Sequence, residues 1–200
     1  MLDTHEFDNK LQRSKAGMTA ETLIQSWLTG CVSVVASNVA DDRNGIDYWA
    51  TLRRGAVVGI DHKLRDPGCS KFWKLGWPEL ALEIWSVTPE NGKPGATGWT
   101  LDEAKNTDYI LYTFDPGDSD EAYLVPFQLL RLVFRKHFDE WCAAYHPLPQ
   151  KSYRAATGHS WHSEAVFVPA PVVLDAVRDE MECRPVLAAP QEAIATKNYE

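Results

Sequence analysis

Two short apolar runs, residues 45–52 and 56–63, stand out in the first third of the chain and read GIDYWATL and AVVGIDHK. Successive side chains of a β-strand point to opposite faces of its sheet. A strand over 56–63 therefore puts Asp61 and Lys63 on the same face. The pattern predicts two strands, and the second of them carries an acid and a base on one side.

The polar stop between the two runs, Arg53-Arg54-Gly55, contains a glycine and suits a hairpin turn. The two strands are therefore expected to pair antiparallel, and this pairing can bring Asp47 alongside Asp61. Two carboxylates that converge at a strand end beside a lysine form a site for a hard divalent cation. Their oxygen ligands suit Mg²⁺ or Mn²⁺.

Apolar spacing over the rest of the chain predicts a mixed α/β fold. Residues 19–28 repeat apolar side chains at helical spacing, and Thr19 can cap the N-terminus of this helix. The same reasoning predicts helices over 126–141 and 169–182, strands over 31–37, 79–87, 107–114, 123–125 and 165–168, a short helix or turn over 99–106, and a turn over 157–164. We expect an α/β fold with a central mixed β-sheet flanked by helices.

The 200 residues have the composition of a globular protein, with 44% hydrophobic and 24% charged residues. We predict a single domain over 1–184 with its core at about 19–142. The tail, 185–200, has little pattern and is expected to be disordered or bound to a partner. The four cysteines form no Cys-x-x-Cys pair, so neither a structural zinc site nor disulfides are expected.

No apolar run approaches the roughly 20 residues that cross a bilayer. The polar start, residues 1–10, lacks the apolar region of a signal peptide. We therefore expect a cytoplasmic protein with no membrane partner.

Charge is unevenly distributed along the chain. Lys and Arg number 20 and Asp and Glu 28, which gives a net charge of -8 and is unfavourable for contact with phosphates. Residues 53–74 are nevertheless positive, whereas residues 102–121 are strongly acidic. The bases that could contact DNA in the positive segment are Arg53, Arg54, Arg65, Lys71 and Lys74. Aromatic residues lie among the last of these bases, a combination used for base stacking and phosphate contact, although a solvated basic loop is the alternative.

Asp47, thirteen intervening residues and Asp61-x-Lys63 resemble the signature of the PD-(D/E)XK nuclease superfamily, the restriction-endonuclease-like fold that includes phage exonucleases. The resemblance covers about residues 19–87, where a predicted helix precedes the predicted strands. Two positions depart from the usual motif. Ile46 stands where the motif has proline, and Asp61 stands where glutamate is more frequent.

The resemblance implies a Mg²⁺-dependent DNA endonuclease or exonuclease in which Asp47 and Asp61 bind the metal and Lys63 orients the attacking water. It also implies that a glutamate on the helix before the first strand completes the metal site, which points to Glu21. Glu83 is a possible accessory residue, because a carboxylate inside an apolar strand is costly unless it is paired or metal-bound.

Other interpretations stay open at this point. Asp47 could be a turn residue, and Asp61 and Lys63 could be a solvated pair at a strand end. The net negative charge also fits a catalytically silent nuclease-fold binding module, such as a phage inhibitor or assembly subunit, that acts through a protein partner or as a homodimer. A metallohydrolase acting on nucleotides is a third alternative.

Overall fold

The computed structural model describes residues 19–38, 41, 44–65, 78–90, 92–114, 122–154 and 159–183. The strands are β1 (Cys31–Ala36), β2 (Tyr48–Leu52), β3 (Val57–Arg65), β4 (Glu79–Val87), β5 (Ala96–Thr97), β6 (Tyr109–Phe114), β7 (Ala122–Pro126), β8 (Leu148–Arg154) and β9 (His159–Pro169). The helices are α1 (Ala20–Trp27), α2 (Phe127–Lys136), α3 (Phe138–Tyr145) and α4 (Ala170–Cys183).

The strands form two sheets. A five-stranded mixed sheet has the order β1-β2-β3-β6-β7, in which β3 and β6 pair parallel and the other neighbours pair antiparallel. A four-stranded antiparallel sheet has the order β5-β4-β9-β8. The predicted mixed α/β class is confirmed. The second sheet was not predicted, and it takes β4 away from the mixed sheet.

The helix α1 covers one face of the mixed sheet. The Thr19 hydroxyl accepts a hydrogen bond from the backbone N–H of Thr22 at 3.3 Å, which satisfies one of the free donors at the helix N-terminus. Leu23 and Ile24 are buried against a small apolar cluster on this face. The sheet residues of that cluster that are fully buried are Ala50, Ile60 and Leu111. The order of one helix followed by β1, β2 and β3 agrees with the prediction.

The larger core joins the two sheets and the remaining helices. Its buried residues include Ile110 and Tyr112 from the mixed sheet and Leu82 and Val166 from the second sheet. Large side chains from α2 and α3, among them Phe134 and Trp141, pack into the same cluster. The face of β3 that lies opposite α1 is therefore turned toward the second sheet.

Two predicted boundaries are wrong. The helix predicted over 126–141 is divided at His137, whose φ of -104° and ψ of 13° do not continue a helix. The turn predicted over 157–164 is largely strand, because β9 begins at His159 and its backbone is hydrogen-bonded to β8. Pairing with the neighbouring strand β8 overrides the turn preference of Ser and His there.

The tail predicted over 185–200 and the polar start lie outside the described residues. Among the helices described here, none is long and apolar enough to cross a membrane.

Candidate functional site

The β2–β3 hairpin brings two of the predicted acids together. Tyr48 pairs with Ile60 across the antiparallel strands, so Asp47 comes opposite Asp61 on the same face. The Asp47 N–H donates to the Ile60 carbonyl at 2.9 Å, and the His62 N–H donates to Asp47 Oδ2 at 2.6 Å. The predicted hairpin and its antiparallel pairing are confirmed.

The two carboxyl groups lie opposite each other and titrate differently. Burial, followed by the charge of Asp61, raises the pKa of Asp47 from 3.8 to about 7, although the His62 N–H opposes the shift. Burial also acts to raise the pKa of Asp61, but the ammonium groups of Lys63 and Lys105 outweigh it and hold that pKa below its usual value. Near neutral pH Asp47 is therefore partly protonated, whereas Asp61 is ionised.

Lys63 lies where the alternation along β3 predicts it. Its Nζ is 2.7 Å from Asp61 Oδ1 and 5.4 Å from the centroid of the Trp99 ring. Asp61 is only 2% exposed, whereas 27% of the Lys63 side chain is exposed. The ammonium group thus bridges a buried carboxylate and the surface.

A second lysine, Lys105, completes the pairing of Asp61. Its Nζ is 3.2 Å from Asp61 Oδ2. Lys105 precedes β6, which pairs parallel with β3 so that Ile110 lies beside Asp61. We did not predict Lys105 as a site residue, because strand alternation cannot reveal a parallel neighbour that distant in sequence. In the sequence, Lys105 is the one basic residue of the acidic segment 102–121.

Glu83 reaches the site from the second sheet. Its Oε2 accepts a hydrogen bond from the Trp99 N–H at 3.1 Å. Burial raises the pKa of Glu83, while Lys63 and Lys105 act in the opposite direction. Glu83 is therefore a neighbour of the two lysines, as its position in an apolar strand indicated.

Glu21 is not gathered with these acids. It is exposed on α1, and the groups on which its charge acts include Tyr48 and His62. Tyr48 follows Asp47 and His62 follows Asp61, so both side chains lie on the opposite face of the sheet. The role of Glu21 as a metal ligand stays a prediction.

The predicted DNA-contacting bases are dispersed. Arg53 and Arg54 are exposed at the hairpin turn, roughly 20 Å along β2 from Asp47. Arg65 is on the face of Asp61, but its guanidinium is ion-paired with Glu79 at 3.3 Å and lies 4.4 Å from the Phe167 ring centroid. Any DNA contact of these arginines must therefore lie away from the carboxylate pair.

Lys71 and Lys74, the other two predicted bases, lie outside the described residues.

The donor set fits a divalent cation held by two carboxylates. Among the described residues, no three His, Cys, Asp or Glu side chains form a group that could hold a metal. Mg²⁺ is commonly bound in proteins by only one or two carboxylates together with waters and substrate phosphates. Asp47 and Asp61 supply that number.

Comparison of the chain with protein-family models, with curated proteins and with solved structures gave no match.

Proposed function

We propose that the protein is a Mg²⁺- or Mn²⁺-dependent phosphodiesterase that hydrolyses DNA at the Asp47–Asp61 pair. The observation that carries the proposal is the position of Asp47 opposite Asp61 across the hairpin, with Lys63 Nζ 2.7 Å from Asp61. The order of α1, β1, β2 and β3 and the spacing of Asp47, Asp61 and Lys63 support the same class of enzyme, since both resemble the PD-(D/E)XK pattern.

Asp47 and Asp61 would hold the cation. When bound, such a cation lowers the pKa of a coordinated water and stabilises negative charge that develops on a phosphate. Lys63 has three N–H donors and no acceptor, so it can orient the attacking water or hold a phosphate oxygen. Its partial exposure next to a buried acid supports a contact with a phosphodiester that approaches from solvent.

The first test is cleavage of supercoiled, linear, branched and single-stranded DNA with Mg²⁺, Mn²⁺ or EDTA, with mononucleotides and RNA assayed alongside. We expect metal-dependent cleavage of DNA, and we expect Asp61→Asn to reduce its rate by about 100-fold or more, because the substitution removes a charged metal ligand. Asp175→Asn is the matched control, since Asp175 is exposed on α4 and pairs only locally with Arg178.

Two results would refute the proposal. One is intact DNA of every form with either metal. The other is equal cleavage by Asp61→Asn and the wild-type protein, which would trace the activity to another source. Cleavage of mononucleotides alone would favour the metallohydrolase alternative.

A second candidate function is a catalytically silent binding module. Both oxygens of Asp61 already have lysine partners, so this buried carboxylate is satisfied without a metal. The net charge of -8 also favours a protein partner over a polyanion. Calorimetry that detects no Mg²⁺ or Mn²⁺ binding, together with a stable homodimer or a stoichiometric protein complex by light scattering, would favour this function.

A further inference from the structure

Asp61 has a cationic partner on each of its oxygens. It is 2% exposed, Lys63 pairs with its Oδ1 at 2.7 Å, and Lys105 pairs with its Oδ2 at 3.2 Å. Asp47 lies opposite Asp61 across the hairpin. Mg²⁺ and Mn²⁺ bind carboxylate oxygens directly, at about 2.1 Å for Mg²⁺. A cation shared by the two acids would therefore come close to an ammonium group of like charge.

The two lysines are held differently. Lys63 makes the shorter contact with Asp61, and it also lies over the Trp99 ring. Lys105 makes the longer contact, with its Nζ 3.2 Å from Asp61 Oδ2. The longer contact makes Lys105 the partner that we expect Asp61 to exchange.

The side chain of Lys105 passes close to Gly45 on its way to Asp61, at a position where a larger residue would block it. A Cβ built on Gly45 would lie 2.5 Å from Lys105 Nζ and 2.8 Å from its Cδ. The turn that carries Lys105 is anchored to α2, because Arg131 donates to the Asp102 carbonyl at 2.8 Å. The hydrogen-bonded turn and the lack of a side chain at Gly45 therefore allow Lys105 to reach Asp61.

We propose that Lys105 is a tethered cation that holds Asp61 in the metal-free protein and leaves it when a divalent cation binds to Asp47 and Asp61. Lys105 is then a positioning residue that sets the metal affinity of the site. The proposal rests on the proposed function, since it assumes that these two acids bind a metal. It extends that function by assigning a role to a lysine outside the Asp47, Asp61 and Lys63 motif.

The test is calorimetric titration of Mn²⁺ into the full chain and into Lys105→Met, Lys105→Arg and Asp61→Asn. Lys105→Met removes the competing charge, so we expect it to bind Mn²⁺ about ten-fold more tightly than the wild-type protein. Lys105→Arg keeps the charge and should bind like the wild type. Lys93→Met is the matched control, because Lys93 is exposed in a surface turn.

Thermal melting supplies a second readout that a purely structural lysine would not give. In EDTA, Lys105→Met should melt below the wild-type protein, because Asp61 has lost a partner. In saturating Mn²⁺ the difference should disappear or reverse. An equal decrease in EDTA and in Mn²⁺ would overturn the proposal and leave Lys105 as a structural residue.

The two proposals fail in different ways. If the wild-type protein binds Mn²⁺, Asp61→Asn does not, and Lys105→Met binds no more tightly than wild type, the tethered-cation proposal is wrong and the metal site stands. If no Mn²⁺ heat is observed for any variant, both are wrong. Should Lys105→Met fail to fold, Gly45→Ala displaces the ammonium by crowding, and unchanged Mn²⁺ affinity in that variant would equally overturn the proposal.

Discussion

Two buried acids, Asp61 and Glu79, are each paired with a cation of strand β3, but their surroundings differ. The β3 partner is Lys63 for Asp61 and Arg65 for Glu79. Asp61 is paired with two lysines that are 27% and 18% exposed. Glu79 is paired through one oxygen with Arg65, which is 14% exposed and lies over Phe167, and its other oxygen has no hydrogen-bond partner among the described residues. The first arrangement suits exchange of one cation for another, whereas the second fixes one guanidinium in place.

The difference shows that burial of an acid is not by itself a sign of chemistry. Removing one partner of a buried ion pair leaves a charge without compensation, which makes such pairs sensitive to substitution whether or not they act on a ligand. The distinguishing features of Asp61 are a second carboxyl group opposite it across the hairpin and partners that are partly exposed.

Arg65→Met should produce the largest loss of stability. The substitution leaves the buried Glu79 carboxylate without its cationic partner, so we expect the free energy of unfolding to fall by about 3–5 kcal/mol. Lys63→Met should cost less, because Asp61 keeps Lys105 as a partner. Urea denaturation of both variants checks the prediction. Equal losses, or a loss below about 1 kcal/mol for Arg65→Met, would contradict the proposed difference between the ion pairs of Asp61 and Glu79.

Asp47→Asn should stabilise the metal-free protein at neutral pH. The pKa of Asp47 is raised to about 7 in the folded protein, so the folded state retains a proton that the unfolded chain releases above about pH 4. The stability from this carboxyl group is therefore present below about pH 4 and is lost as the pH rises through 7. Asparagine keeps the neutral form and can still accept from the His62 N–H.

We expect Asp47→Asn to gain about 1–2 kcal/mol over wild type at pH 8 in EDTA, less than the full shift implies because Asp47 is partly exposed. The gain should vanish near pH 4. Melting temperatures measured across this range, with Asp175→Asn as the matched control, check the prediction. A difference that is independent of pH would argue against the protonated pair.

Gly45→Ala and Gly55→Ala separate backbone strain from the contact with Lys105. The φ angles are +82° and +81°, so alanine is strained at both positions. A Cβ at position 55 meets nothing within 4 Å, whereas one at 45 meets Lys105. We expect Gly45→Ala to be less stable than Gly55→Ala by about 0.5–1 kcal/mol. In a Lys105→Ala background this difference should disappear, and its persistence would show that the contact with Lys105 is not its cause.

The hairpin that carries Asp47 and Asp61 could be predicted because its information is local. Alternating apolar residues define both strands, and Gly55 provides the turn. Once the hairpin was assumed, the proximity of the two acids and the direction of Lys63 followed from the alternation of side chains. The helix over 19–28 was predicted for the same reason, since its cap and its apolar stripe lie within ten residues.

Other features depended on contacts between distant segments. Lys105, which precedes β6, reaches Asp61 because β6 pairs parallel with β3, and no local sequence pattern predicts that pairing. The assignment of β4 to a second sheet depended on β9, which is distant in the sequence. The ion pair of Arg65 with Glu79 was hidden as well, since Glu79 lies on β4 of the second sheet.

For this chain, local alternation and turn chemistry were sufficient to specify the β2–β3 hairpin, its two acids and the lysine beside them. The arrangement of strands in two sheets decided which cations surround Asp61, how deeply Asp61 is buried and how far the pKa of Asp47 is raised. The physical reason is that side-chain direction is set by a few neighbouring dihedral angles, whereas burial and charge environment are set by every segment that packs around a residue.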